Sequence, residues 1–195
     1  MNLLDLIHGD TGNQVAEQAE NKFGISKNQV IALLAVATPL VISYLRKKSE
    51  DPTEADKLNA ALERDHDGSI LNDPSQALNR QEEGSSILSH IFGANKETVE
   101  SQLSENTGIS MSKIGPILAM LAPMIMGFIG KQKQTNNVTS GGGLADLLSG
   151  ILGNASQQAQ QSNNPLSGLL NSFLGNGTQS NQGGLSGLLG NLFGK

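Results

Sequence analysis

The sequence predicts an all-α protein. Three observations carry this. No stretch of useful length alternates apolar and polar residues with the two-residue period of a strand. Two long stretches, VIALLAVATPLVISYL at 30–45 and IGPILAMLAPMIMGFIG at 114–130, hold no charged residue and read as helices apolar all round, the pattern of a buried element. A short apolar heptad closed by glycine recurs along the chain: LLDLIHG at 3–9, ILSHIFG at 87–93, LLSGILG at 147–153, LLNSFLG at 169–175 and LLGNLFG at 188–194.

The elements follow in order from an internal repeat. Residues 3–47 align without a gap on residues 87–131 at an offset of 84, with 12 identical pairs in 45. These include Gly24/Gly108, Ile25/Ile109, Ser26/Ser110 and Pro39/Pro123. Each copy reads as a short apolar helix, a polar amphipathic helix, a GIS turn and a long apolar helix. Ser26 and Ser110 stand where they would N-cap the long helices, and Gln29 completes a capping box in the first copy. Pro39 and Pro123 fall inside those helices, where a missing N–H and a ring clash predict a kink or a break. The connector, 48–86, holds Asp51-Pro52 and Asp73-Pro74, each an N-cap followed by proline at the first helical position. This predicts a helix over 52–64, a turn at DHDGS and a second polar helix over 74–82.

The two long apolar stretches stop short of the roughly 20 residues a membrane span needs. Arg46, Lys47 and Lys48 follow the first, and Lys131 and Lys133 follow the second. Two antiparallel spans would place these clusters on opposite sides, against the positive-inside rule. The two helices are therefore expected to pack on each other at the centre of a domain, with membrane association as the rival reading.

Composition narrows the function. The formal charge is −5, which argues against binding nucleic acid through clustered Lys and Arg. There is no Trp, so aromatic platforms are scarce, and no Cys, so disulfide, thiol and zinc-thiolate chemistry are absent. The opening residues MNLLDLIHGD carry an acid where a secretory signal has a basic region, which predicts a cytoplasmic protein and leaves unconventional export or a cell-surface assembly open. Residues 132–195 hold only Lys133, Asp146 and Lys195 as charges and 13 of the 23 glycines. That shift predicts a domain over 1–131 and a low-complexity Gly/Ser/Asn/Gln/Leu tail over 132–195.

The segments DHDGSILND, GSSILSHIFG and GISMSKIGPILAMLAPMIMGFIGK, in this order and spacing, resemble the bacterial family of unknown function that includes the YidB-like proteins (domain of unknown function 937). The resemblance covers about 1–131. It implies a small all-helical domain and no particular activity.

Candidate sites are few. In ERDHDGSILND, Glu63, Asp65 and Asp67 fall at positions 1, 3 and 5 of a calcium loop, with Gly68 at 6. The frame then fails, because position 12 is Pro74 and Asp73 comes one residue early. Glu63, Asp65, Asp67 and Asp73 are thus candidate ligands for calcium or another cation, against a plain polar turn bent at Asp67-Gly68. His8, His66 and His90 share no close metal spacing, and SGGGLAD lacks the Lys and preceding strand of a phosphate loop. No catalytic residue is assigned and the chain is read as a non-enzyme.

The tail carries three amphipathic repeats. Leu144, Leu147, Leu148, Ile151 and Leu152 sit at i, i+3, i+4, i+7 and i+8; so do Leu166, Leu169, Leu170, Phe173 and Leu174, and Leu185, Leu188, Leu189, Leu192 and Phe193. That spacing gathers five side chains on one helical face. Gly153, Gly175 and Gly194 follow as expected C-caps. A helix of about ten residues does not persist alone in water, so each repeat needs a surface. The expected function is protein–protein interaction or self-assembly, with the chain itself (a homo-oligomer) or another protein as partner. Heptads would dock in a groove of the domain with the avidity of several copies. Head-to-tail docking of this kind grows into filaments. The alternatives are a cation-responsive protein using the acidic loop and a membrane-associated protein.

Overall fold

The computed structural model describes residues 2–161. Every regular element among these residues is helical. The remaining two tail repeats, Leu166 to Leu174 and Leu185 to Phe193, lie outside the described residues.

Helix α1 (Leu3–His8) opens on a capping box: the Asp5 amide donates to Asn2 Oδ1 and the Asn2 amide to Asp5 Oδ2, both at 2.8 Å. Gly9 ends α1 and starts α2 (Asp10–Phe23) in one extended residue. Helix α2 buries Val15, Ala16 and Ala19 and ends at Gly24, whose φ of 60° is the left-handed C-cap conformation. The GIS turn then leads into α3 (Lys27–Lys48). Its Ser26 and Gln29 form the expected capping box.

Asp51 caps α4 (Pro52–Arg64) by accepting from the amides of Thr53 and Glu54, at 2.8 and 3.2 Å. The expected helix over 74–82 does not form. Asp73 is engaged chiefly by the side chains of Ser75 and Gln76, with a lesser bond from the Ser75 amide. A single turn, α5 (Gln76–Asn79), follows. The chain leaves helical geometry at Arg80 before entering α6 (Gln81–Phe92).

Next come α7 (Lys96–Thr107), the left-handed Gly108 and α8 (Met111–Thr135). Ser110 occupies the N-cap position of α8 but makes no side-chain cap bond. Neither Pro39 in α3 nor Pro123 in α8 breaks its helix, and α8 also carries Pro116. Near the first proline, the Thr38 hydroxyl donates to the Leu34 carbonyl at 2.7 Å.

The apolar helices form the centre. Both α3 and α8 are long and apolar enough to cross a membrane by length and composition, and most of each is buried inside the protein. They touch each other, but each is covered mainly by other partners: α8 by α6, and α3 by α2 and the last described helix, α9 (Gly141–Gln161). The α6–α8 contact is close because Gly84 has no side chain. A Cβ there would stand 1.7 Å from the Ala119 carbonyl oxygen.

The compositional break after residue 131 is not an edge of the packed structure. Helix α8 continues to Thr135, and Lys133 within it is buried, with its ammonium on Glu63 Oε1 at 2.5 Å. Helix α9 packs on α3 and α4 and joins the common core. Gly153 is not its C-cap. The polar segment NASQQAQQ carries the helix on to Gln161. Alanine and glutamine are good helix formers, and here that preference prevails over one glycine.

Candidate functional site

The acidic loop assembles as a turn. Gly68, at φ 94°, supplies the bend, and the Asp67 carboxylate accepts from the Ser69 amide at 2.9 Å. Those bonds from Ser69 hold the Asp67 carboxyl below its ordinary value. Glu63 faces away to Lys133, whose ammonium lowers its pKa by a hydrogen bond and by charge. Asp65 is held low by a fork from its neighbour Arg64, and Asp73 by hydrogen bonds from Ser75 and Gln76. Each of the four candidate ligands therefore has its own partner. Among the described residues no three His, Cys, Asp or Glu side chains come together in a metal-holding group.

The first tail heptad is a packed element. Leu144 and Leu148 are fully buried and Ile151 nearly so, while Leu147 and Leu152 lie against the core at its margin. The five side chains share one helical face, as their spacing requires, and that face meets α3 and α4. Gly141 makes the entry possible: a Cβ there would meet Asp56 Oδ1 at 2.6 Å and the Ala55 carbonyl carbon at 2.8 Å.

A cleft of about 580 Å³ separates α4 from α6. Leu58 and Ala61 of α4, Ile87 and Ile91 of α6, and a floor of Leu45 and Met126 give it an apolar interior. Its rim is polar and internally neutralised. Lys57 pairs with Glu54 at 2.8 Å, Arg64 with Asp65, and Arg80 with Glu83 through two bonds of 2.6 Å. Arg80 also donates to the Asp65 carbonyl at 3.1 Å, tying the start of α6 to the end of α4. His66 also lines the cleft. Its side chain is only 5% exposed, and its Nδ1 lies 3.7 Å from Glu83 Oε1, too far for a hydrogen bond. Burial pushes its pKa down, which keeps the imidazole neutral at pH 7. The His66 carbonyl in turn sits against α8 at Gly130, where a Cβ would be 1.7 Å away.

Residues 5–132 match the family model described as Bacterial protein of unknown function (DUF937). The chain belongs to that family. The match agrees with the resemblance carried by DHDGSILND, GSSILSHIFG and GISMSKIGPILAMLAPMIMGFIGK. No curated protein and no solved structure matches the chain. The DUF937 match covers both sides of the cleft and ends inside α8, before α9 begins.

Sequence reasoning missed the cleft in this DUF937 chain. Leu58 and Ala61 stand three apart on a helix otherwise read as polar, and that pair was the available signal. Ile87 and Ile91 were visible only as members of a heptad with one buried face.

Proposed function

We propose that this protein is a non-enzymatic interaction module, made of a duplicated helical unit and a leucine-repeat tail whose heptads dock on helical surfaces. The first heptad docks in cis and the later ones on the same or another copy; docking between copies gives self-assembly that can extend head to tail. One observation carries the reading. Leu144, Leu148 and Ile151 are seated on α3 and α4, and the same spacing of large apolar residues returns at 166–174 and 185–193. Burying four or five such side chains is worth several kcal/mol, at roughly 1.5 kcal/mol each, before the cost of ordering the helix.

The test is particle size. Light scattering and negative-stain microscopy compare the full chain with one ended after Gln161, which keeps α9 on the core. Oligomers or filaments from the full chain, and monomers from the shortened one, are the expected result. Monomers from both would refute self-assembly through the later repeats. A cation-responsive role would require Glu63, Asp65, Asp67 and Asp73 to leave their present partners, and no observation favours it.

A further inference from the structure

We infer that the cleft between α4 and α6 is the seat of the last heptad, residues 185–193. This rests on the reading that the heptads are docking helices, and it names the surface that receives one. Three features select this occupant.

The first is charge. Every Lys, Arg, Asp and Glu lining the cleft already has an oppositely charged partner within the domain, and His66 is held neutral by burial. An uncharged guest leaves these pairs intact, whereas a charged one would compete with them. Residues 185–193, LSGLLGNLF, carry no charge.

The second is shape. Two helices flank a channel with an apolar floor, the arrangement into which a third helix lays an apolar stripe, with axes about 8–10 Å apart. Leu58 and Ala61 on one wall and Ile87 and Ile91 on the other are spaced by three and four residues, the ridge spacing of helix packing. Leu188, Leu189, Leu192 and Phe193 repeat the pattern of Ile87, Leu88, Ile91 and Phe92, which this fold already packs.

The third is reach. Twenty-three residues, 162–184, separate the end of α9 from the heptad. Taken as a coil, a chain of that length would span roughly 26 Å on average, at about 5.5 Å times the square root of the residue number. The middle heptad has only four residues of tether, 162–165, and so a far smaller range.

The absence of cysteine allows a direct test in the full chain. Ser86, exposed on α6 at the cleft, is changed to Cys together with Ser186→Cys or, separately, Asn191→Cys. The reference pairs the same tail positions with Ser112→Cys, an exposed residue of α8 that does not line the cleft. Under mild oxidation the Ser86→Cys pairs are expected to form disulfides about tenfold faster than the reference pairs, reflecting a raised effective concentration. Adding Ile87→Asp, or Ala61→Trp as an independent block, is expected to remove that advantage while the helical circular dichroism stays unchanged. Equal rates for Ser86→Cys and Ser112→Cys overturn the seat, as does an advantage that survives both blocks. Non-reducing electrophoresis separates this inference from the assembly reading. Cross-links confined to monomers keep the seat and refute assembly between copies; oligomers with no Ser86→Cys preference do the reverse.

Discussion

Gly84→Ala should destabilise the protein, although alanine is the better helix former. In an exposed helix interior the exchange is favourable by roughly 0.5–1 kcal/mol, because glycine loses more backbone freedom on folding. At position 84 the added Cβ would stand 1.7 Å from the Ala119 carbonyl oxygen, and contacts under 3.0 Å essentially never occur. Helices α6 and α8 must therefore move apart by more than an ångström along their shared seam. Overpacking of this kind costs about 1–3 kcal/mol, which outweighs the propensity gain. Gly150→Ala is the internal control: it lies in α9, and nothing stands within 4 Å of its Cβ. Urea denaturation followed by circular dichroism at 222 nm should show the midpoint falling for Gly84→Ala and rising slightly for Gly150→Ala. Equal or greater stability for Gly84→Ala would refute the close seam between α6 and α8.

Four further outcomes are expected. Leu148→Ala removes a fully buried side chain and should cost about 3 kcal/mol, lowering Tm by about 6–12 °C for a chain of this size, as calorimetry will show; an unchanged Tm would mean that α9 is not seated on the core. The Glu63 carboxyl, held below its ordinary 4.5 by Lys133, contributes stability that is complete above pH 4.5 and is lost as the pH falls through its lower folded value. Glu63→Gln should therefore be less stable than the parent at neutral pH and converge with it in acid, a trend read from Tm against pH. His66, lowered by burial, works in the same direction from a higher start: protonation of the unfolded state below pH 6.5 draws the protein open, so His66→Gln should flatten the Tm profile between pH 7 and 5. Calcium should leave Tm unchanged, since the four acidic groups have separate partners; a rise abolished by Asp67→Ala would reinstate the cation reading.

Local chemistry was legible where it was self-contained. The Ser26–Gln29 box and the Asp51 cap each depend on a few neighbouring residues, and each forms as the sequence implies. The apolar stretches announced their burial, although not their main partners, because partner choice turns on side chains missing at Gly84 and Gly130 in contacts between distant segments. Asp73-Pro74 misled because a cap motif says nothing about competing side chains, and Ser75 and Gln76 take the carboxylate. Lys133 looked like a tail residue by composition; only its approach to Glu63, seventy positions away, makes it part of the interior. The cleft was illegible for the same reason: it is a gap between α4 and α6 over a floor from α3 and α8, and no single stretch of sequence encodes it.

Helix α9 also separates two ideas of what the domain is. The inherited unit, residues 5–132, ends before the helix that supplies Leu144 and Leu148 to the interior. The thermodynamic unit runs further, because removing α9 would wet the faces of α3 and α4 that it covers. A fragment cut to the inherited limits would thus carry a raw apolar flank and lack the Lys133 counter-charge for Glu63. Its solubility and stickiness would describe the cut rather than the family, and biochemical work on such fragments would start from a wounded protein.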